Sequence, residues 1–219
     1  MTPEWIYLLK ANVGIALFYA FYKLFCCKDT FFQWRRMALL SFLVISFVYP
    51  LLNIQNWVQE QPKMNELVDY YATWLATEDV IVTNEVATLP TPDLMTLFGY
   101  LYMLGMGVFF LRFLIQLLSI FRLVWKGTKT EVDGVKVISL DENVNPFSFF
   151  GWIFLYFPEL REDSRQEILT HELTHVRQRH SLDVIVSELV TIVCWMNPFI
   201  WLLKAEIRLN LEYLADNKV

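Results

Sequence analysis

Apolar residues in this chain come in long blocks rather than at the spacing of a surface helix. Two blocks, WIYLLKANVGIALFYAFYKLFCC (5–27) and MALLSFLVISFVYPLLNIQ (37–55), are each long enough to span a hydrocarbon core, which takes about 20 residues. A third block, 94–125, contains Arg112 as its single charge and exceeds one crossing, so it tilts or emerges from the bilayer. The pattern predicts a mainly α, polytopic membrane protein with three transmembrane helices. No positively charged leader precedes the first block and no small-residue cleavage site follows it, so it is expected to remain as an anchor.

The polar connections predict an orientation. The turn after the first block carries Lys23, Lys28, Arg35 and Arg36 against Asp29, which marks it as cytoplasmic and places the N-terminus outside. The second connection, 56–93, holds Glu60, Glu66, Asp69, Glu78, Asp79, Glu85 and Asp93 against Lys63, as an extracytoplasmic loop would. Within it Met64, Leu67, Val68, Tyr71, Trp74 and Leu75 recur at helical steps, predicting a short amphipathic helix at the outer surface. Arg122, Lys126 and Lys129 close the third block and return the chain to the cytoplasm.

The period changes after residue 125. TKTEVDGVKVISL alternates β-branched residues around Asp133-Gly134, a hairpin signature, and NPFSFFGWIFLYFP reads as one or two further strands interrupted by Gly151 and Pro158. Residues 126–219 are therefore expected to form a cytoplasm-facing domain with a small β-hairpin or sheet.

Composition narrows the class. The 219 residues are 56% hydrophobic and 19% charged, against roughly 25% charged in an ordinary soluble domain, which excludes disorder. With 18 basic and 23 acidic residues, the net charge of −5 lacks the basic footprint of a nucleic-acid binder. Cys26, Cys27 and Cys194 form neither an even disulfide framework nor a C-x-x-C knuckle.

Chemistry concentrates in HELTH. Ser164 and Glu167 form a capping box that opens a helix through this stretch. His171 and His175, at i and i+4, share a face on which two imidazoles can bind one Zn²⁺, and Glu172 leans over the open coordination position as general base. His180 follows His175 by five residues with no glycine between, so the metzincin pattern fails and His180 reads as a helix-end residue. Glu212 is the better third ligand. With Asp216 it forms an E-x-x-x-D pair on a second helix, from which Asp216 can hold the far nitrogen of a histidine, although such a pair alone commonly marks a solvated face.

A fourth apolar block, 184–203, conflicts with this site if it crosses the membrane. A helix of 20 residues is about 30 Å long, so a crossing would put His175 and Glu212 on opposite sides of the bilayer. Asn197-Pro198 interrupts the block, which predicts a helical hairpin instead. The legs from Asn197 back to His175 and from Pro198 on to Glu212 are unequal, so a second bend is needed, with a helix restart at Ser181 or Asp183. Glu188, inside this block, is expected to be a satisfied structural carboxylate.

HELTHVRQRH, NPFIW and EYLAD, in this order after paired helices, an outer loop and a third span, resemble the BlaR/MecR-type integral-membrane zinc metallopeptidases. The resemblance implies a gluzincin-like, membrane-associated protease domain that binds one Zn²⁺ through His171, His175 and Glu212. Glu172 is then the general base, and Asp216 supports a ligand from behind. Family members cleave themselves and lead to loss of a transcriptional repressor, so the implied substrate is a protein or peptide, either this chain or a regulator. Further implications are a bacterial cytoplasmic membrane and signal transduction, while the composition itself fits a homodimer or a monomer equally well. Such proteins continue into a sensor region, and this chain ends three residues past Asp216, so it is expected to be an N-terminal portion of a longer protein.

An extended substrate is expected along 147–157 by β-augmentation, with Phe147, Phe149 and Phe150 as candidate substrate-binding residues. Tyr213, Arg208 and His180 are candidates for stabilising the oxyanion, and spacing does not choose between them. Two rival classes remain: a catalytically silent signalling scaffold, which leaves Glu172 without a purpose, and a CAAX-processing type of protease, which also pairs HExxH with a later E-x-x-x-D. A site-2-type enzyme needs an aspartate ligand after an N-P segment, and Phe199 stands there instead.

Overall fold

In the computed structural model, residues 3–26, 30–52, 94–140, 145–156 and 162–217 are described. The first apolar block forms α1 (Pro3–Phe21), continued by a π-helical turn at Tyr22–Cys26. The second forms α2 (Phe32–Val48), which tightens into a 3₁₀ turn at Tyr49–Leu51 around Pro50. It begins five residues earlier than the apolar pattern alone suggests, because Arg35 and Arg36 are helical. The third forms α3 (Leu94–Lys126), 33 residues long. These three segments are long and apolar enough to cross a membrane. The predicted outer helix over 64–75 lies outside the described residues.

The block at 184–203 is a hairpin. Before it comes α4 (Glu162–Arg177), which opens two residues ahead of Ser164, so that residue sits inside the first turn. The legs are α5 (His180–Val193) and α6 (Pro198–Asp216), and Asn197 caps α6 by accepting from the Phe199 N–H at 3.0 Å. The required second bend is at Gln178–Arg179, where Arg179 adopts a left-handed conformation (φ 54°), so the helix restarts at His180 rather than at Ser181 or Asp183. With that restart the legs match. α5 has 14 residues, and Glu212 lies fourteen positions beyond Pro198, or about 21 Å of helix for each.

The hairpin penetrates between the spanning helices. Asn197 donates to the carbonyl of Asn12 at 3.1 Å, Trp195 Nε1 donates to the carbonyl of Tyr102 at 3.2 Å, and the Tyr102 hydroxyl donates to the Val193 carbonyl. Asn12 and Tyr102 lie about 14 and about 12 Å along their helices from the end where α1 and α3 begin. The hairpin tip therefore enters the bundle as far as Asn12 of α1 and Tyr102 of α3. A built Cβ on Gly105 would meet the Trp195 ring at 2.3 Å, so the bare backbone of Gly105 is what admits the tip. Ile15, Tyr22, Leu39 and Leu43 of the first two segments form one buried cluster with Ile200, Leu203, Ile207 and Leu211 of α6. Glu188 of α5 forms an ion pair with Lys204 of α6, and Arg208 stands 3.9 Å away, so the carboxylate has charge partners across the hairpin.

Four strands lie in the order β1-β2-β4-β3: β1 (Thr128–Val132), β2 (Val135–Ser139), β3 (Phe147–Phe149) and β4 (Trp152–Leu155). The two antiparallel turns, Asp133-Gly134 and Phe150-Gly151, place both central residues at positive φ, the geometry that matches strand twist. Alternation along β2 and β4 separates two buried layers. Ile138 and Phe154 face Ile120, Leu123 and Val124 of α3, whereas Val137, Ile153 and Leu155 face Ile168, Leu169 and Leu173 of α4. The sheet thus fastens α4 to the end of α3 and leaves β3 at an edge.

Candidate metal centre

α4 turns its apolar stripe to the sheet, so its opposite face, carrying His171 and His175, turns toward α6. Leu211 and Leu214 anchor α6 against α1 and α2, which aims Glu212 and Asp216 at those imidazoles. Spacing of 3.6 residues per turn explains both pairs, since i and i+4 lie one above the other.

His171 Nε2, His175 Nε2 and Glu212 Oε2 define a triangle with edges of 3.2, 3.4 and 3.7 Å. They form the group of potential metal-ligand atoms found among the described residues. A tetrahedral ion with bonds of ~2.0–2.1 Å separates its ligand atoms by roughly 3.3–3.4 Å. His171 Nδ1 lies 3.1 Å from Asp216 Oδ1, a carboxylate oxygen that accepts, so the proton of that ring is on Nδ1 and Nε2 offers its lone pair to the triangle. Two imidazole nitrogens, one carboxylate oxygen and an open fourth side suit a zinc-type ion. His175, and secondly His171, hold the Glu212 carboxyl below its ordinary value, against the opposing effect of partial burial.

Glu172 is buried and has no hydrogen-bond or ion-pair partner among the described residues. It borders a cavity of about 420 Å³ together with His171, His175, Glu212, Arg208, Leu211 and Val184. Phe147, Ser148 and Phe149 of the edge strand close one side of that cavity. The aromatic candidates divide here. Phe147 stacks on Phe154 at 4.4 Å, and both Phe147 and Phe149 pack partly into the layer beneath α3 while lining the cavity. Phe150 does not line it: this residue occupies the β3–β4 turn, exposed, with its N–H donating to Ser181 Oγ at 3.0 Å. Arg208 borders the cavity as well, whereas Tyr213 stacks on Phe32 of α2.

His180 opens α5, only 2% exposed, with its Nδ1 2.7 Å from Nδ1 of His175 and its Nε2 3.1 Å from Gln178 Oε1. Burial, and then the neighbouring His175 and Arg36, push its pKa down to about 3, so this ring is neutral. Its contact with His175 escapes the sequence reading, since five residues along a continuous helix would carry the side chain off the ligand face. The left-handed Arg179 brings it back.

Residues 154–219, which include α4, α5 and α6 with every candidate ligand, match the family described as BlaR1 peptidase M56. The match supports the resemblance carried by HELTHVRQRH, NPFIW and EYLAD, and with it a metallopeptidase-type function and a metal cofactor. Comparison with curated proteins finds no match.

Proposed function

We propose that the chain is a membrane-embedded zinc metalloendopeptidase that hydrolyses peptide bonds at the cytoplasmic membrane face, as the protease part of a signal-transducing receptor that cuts itself or a regulator. The observation that carries this reading is the triangle of His171, His175 and Glu212 beside the Glu172 carboxylate, which has no partner among the described residues, in a cavity bordered by an edge strand. His171, His175 and Glu212 are the zinc ligands in this reading, with Asp216 fixing the His171 ring. When bound, zinc supplies Lewis-acid polarisation of the scissile carbonyl and lowers the pKa of a coordinated water.

The chain's own groups do the rest. Glu172 takes a proton from the attacking water and delivers it to the leaving amine, a general acid–base role worth about 10²–10⁴-fold in rate. An extended substrate adds to the outer edge of β3, the last strand of the sheet among the described residues, with backbone hydrogen bonds setting its direction and Phe149, Val184 and Leu211 offering apolar contacts to its side chains. The cytoplasmic orientation is supported by Arg36 of the basic turn, which donates to the Gln178 carbonyl at 2.8 Å and so ties the metal centre to the positively charged end of the bundle.

The test is zinc content and proteolysis of the full chain in a membrane mimetic, for wild type, Glu172→Gln and Glu212→Ala. The expected result is about one zinc per chain in the first two, weakened binding in the third, and cleavage in wild type only. A folded wild type that takes up no zinc when supplied with it, or a Glu172→Gln protein that cleaves like wild type, would overturn the reading.

A further inference from the structure

The proton positions behind the triangle can be followed from α2 to the ligand atom. Gln33 Nε2 donates to Gln178 Oε1 at 3.2 Å, which identifies that atom of Gln178 as an acceptor. The same oxygen lies 3.1 Å from His180 Nε2, so Nε2 carries a hydrogen, and on a ring only 2% exposed with no carboxylate paired to it among the described residues it carries the single one. Nδ1 of His180 is then a lone pair. It faces His175 Nδ1 at 2.7 Å, a separation at which one of the two nitrogens donates, and the hydrogen can only be on His175. His175 Nε2 is consequently bare and turned to the triangle.

We infer that His180 is the positioning residue of His175: a buried imidazole that accepts the Nδ1–H of the ligand histidine, fixes its ring and selects the tautomer whose Nε2 can bind a metal. The inference rests on the metallopeptidase reading and adds a residue to it. A carboxylate or carbonyl commonly performs this task, as Asp216 does for His171. An imidazole acceptor carries no charge, so it fixes the ring without adding a second negative group beside Glu212. Its placement depends on Arg179, whose left-handed conformation folds the chain back, and on Arg36, which holds the Gln178 carbonyl and the Asp183 carboxylate at 2.8 and 2.6 Å.

The experiment compares wild type, His180→Ala and His180→Asn as full chains in the same membrane mimetic, measuring zinc affinity by chelator competition and the ring protonation of ¹⁵N-labelled histidines by NMR. Removing such a support weakens metal binding about 10–100-fold. His180→Ala is expected to lose affinity in that range with its fold retained, and His180→Asn, whose amide oxygen can still accept, is expected to recover most of it. Wild-type spectra are expected to show His180 protonated at Nε2 and His175 at Nδ1. Unchanged zinc affinity in His180→Ala, or the opposite tautomers in wild type, would overturn the inference while leaving the protease reading standing. Tautomers as assigned in a wild type that binds no zinc would instead sink the protease reading alone, and His180 would remain the residue that sets the His175 ring. Should His180→Ala not fold, the wild-type tautomers decide.

Discussion

Arg36, the fifth residue of α2, and Asp183, in the first turn of α5, are joined at 2.6 Å by a hydrogen-bonded ion pair largely withdrawn from solvent. The pair connects the basic turn of the spanning helices to the segment that begins with His180. Breaking a buried pair by removing one partner costs about 3–5 kcal/mol, because the remaining charge stays desolvated. Asp183→Ala is therefore expected to lower the unfolding midpoint by an amount equivalent to about 3 kcal/mol and to weaken zinc binding as well. Replacing both residues by leucine is expected to restore much of the stability but not the affinity. Chemical denaturation in one detergent, followed by chelator competition, separates the two effects.

Gly105 and Gly107 provide a matched pair. A Cβ at Gly105 would collide with the Trp195 ring, whereas a Cβ at Gly107 meets nothing within 4 Å. Gly105→Ala is expected to destabilise by about 1–3 kcal/mol through overpacking, and Gly107→Ala to be neutral or to gain up to about 1 kcal/mol from helix propensity. Near-ultraviolet circular dichroism of the tryptophans should change for Gly105→Ala alone. Equal behaviour of the two variants would mean that the hairpin tip does not sit against α3.

Glu188 and Lys204 pair across the two legs of the hairpin, and both are mostly buried. Lys204→Met is expected to destabilise by about 3 kcal/mol, with Arg208, 3.9 Å from the same carboxylate, limiting the loss. Adding Arg208→Met to Lys204→Met should then deepen it more than the single Arg208 change alone would suggest. Thermal unfolding of the two single variants and the double variant measures this coupling.

Asp216 is 65% exposed on its side chain, unlike His180, yet its Oδ1 is 3.1 Å from His171 Nδ1. Asp216→Ala is expected to reduce zinc affinity by about tenfold, the low end for loss of such a support, since water can replace the carboxylate. Fold and melting temperature of the metal-free protein should be unchanged. Chelator competition reads the affinity, and a loss as large as that of Glu212→Ala would make Asp216 a ligand.

The spans, the strand-turn-strand signal at Asp133-Gly134 and the ligand spacing were legible in the sequence because each is a local periodicity or a turn chemistry. The hairpin at Asn197-Pro198 was legible by contradiction, as a crossing would have separated His175 from Glu212. The restart at His180 was not: its signal is a single left-handed Arg179, a residue with no turn preference, so the sequence points one or three positions too late. The contact between His175 and His180 depends on that conformation and was hidden with it. Phe147 and Phe149 read as pocket residues and serve the sheet core as well, because an edge strand three residues long has one face for both. The parallel pairing of β2 with β4 brings together strands from opposite sides of a connection, which no local pattern records.

The hairpin tip stops at the level of Asn12 and Tyr102, with a consequence for the shape the protein presents to lipid. Among the described residues, five helical segments (α1, α2, α3, α5 and α6) share the part of the bundle nearest the metal centre, and beyond the tip only α1, α2 and α3 continue. The cross-section accordingly tapers from the metal-centre end of the bundle to the other. In a bilayer crossed by α1, α2 and α3 such a wedge would displace more lipid from the leaflet beside the metal centre, so lateral pressure in the two leaflets would act unequally on it, and the hairpin is the part on which the difference would fall.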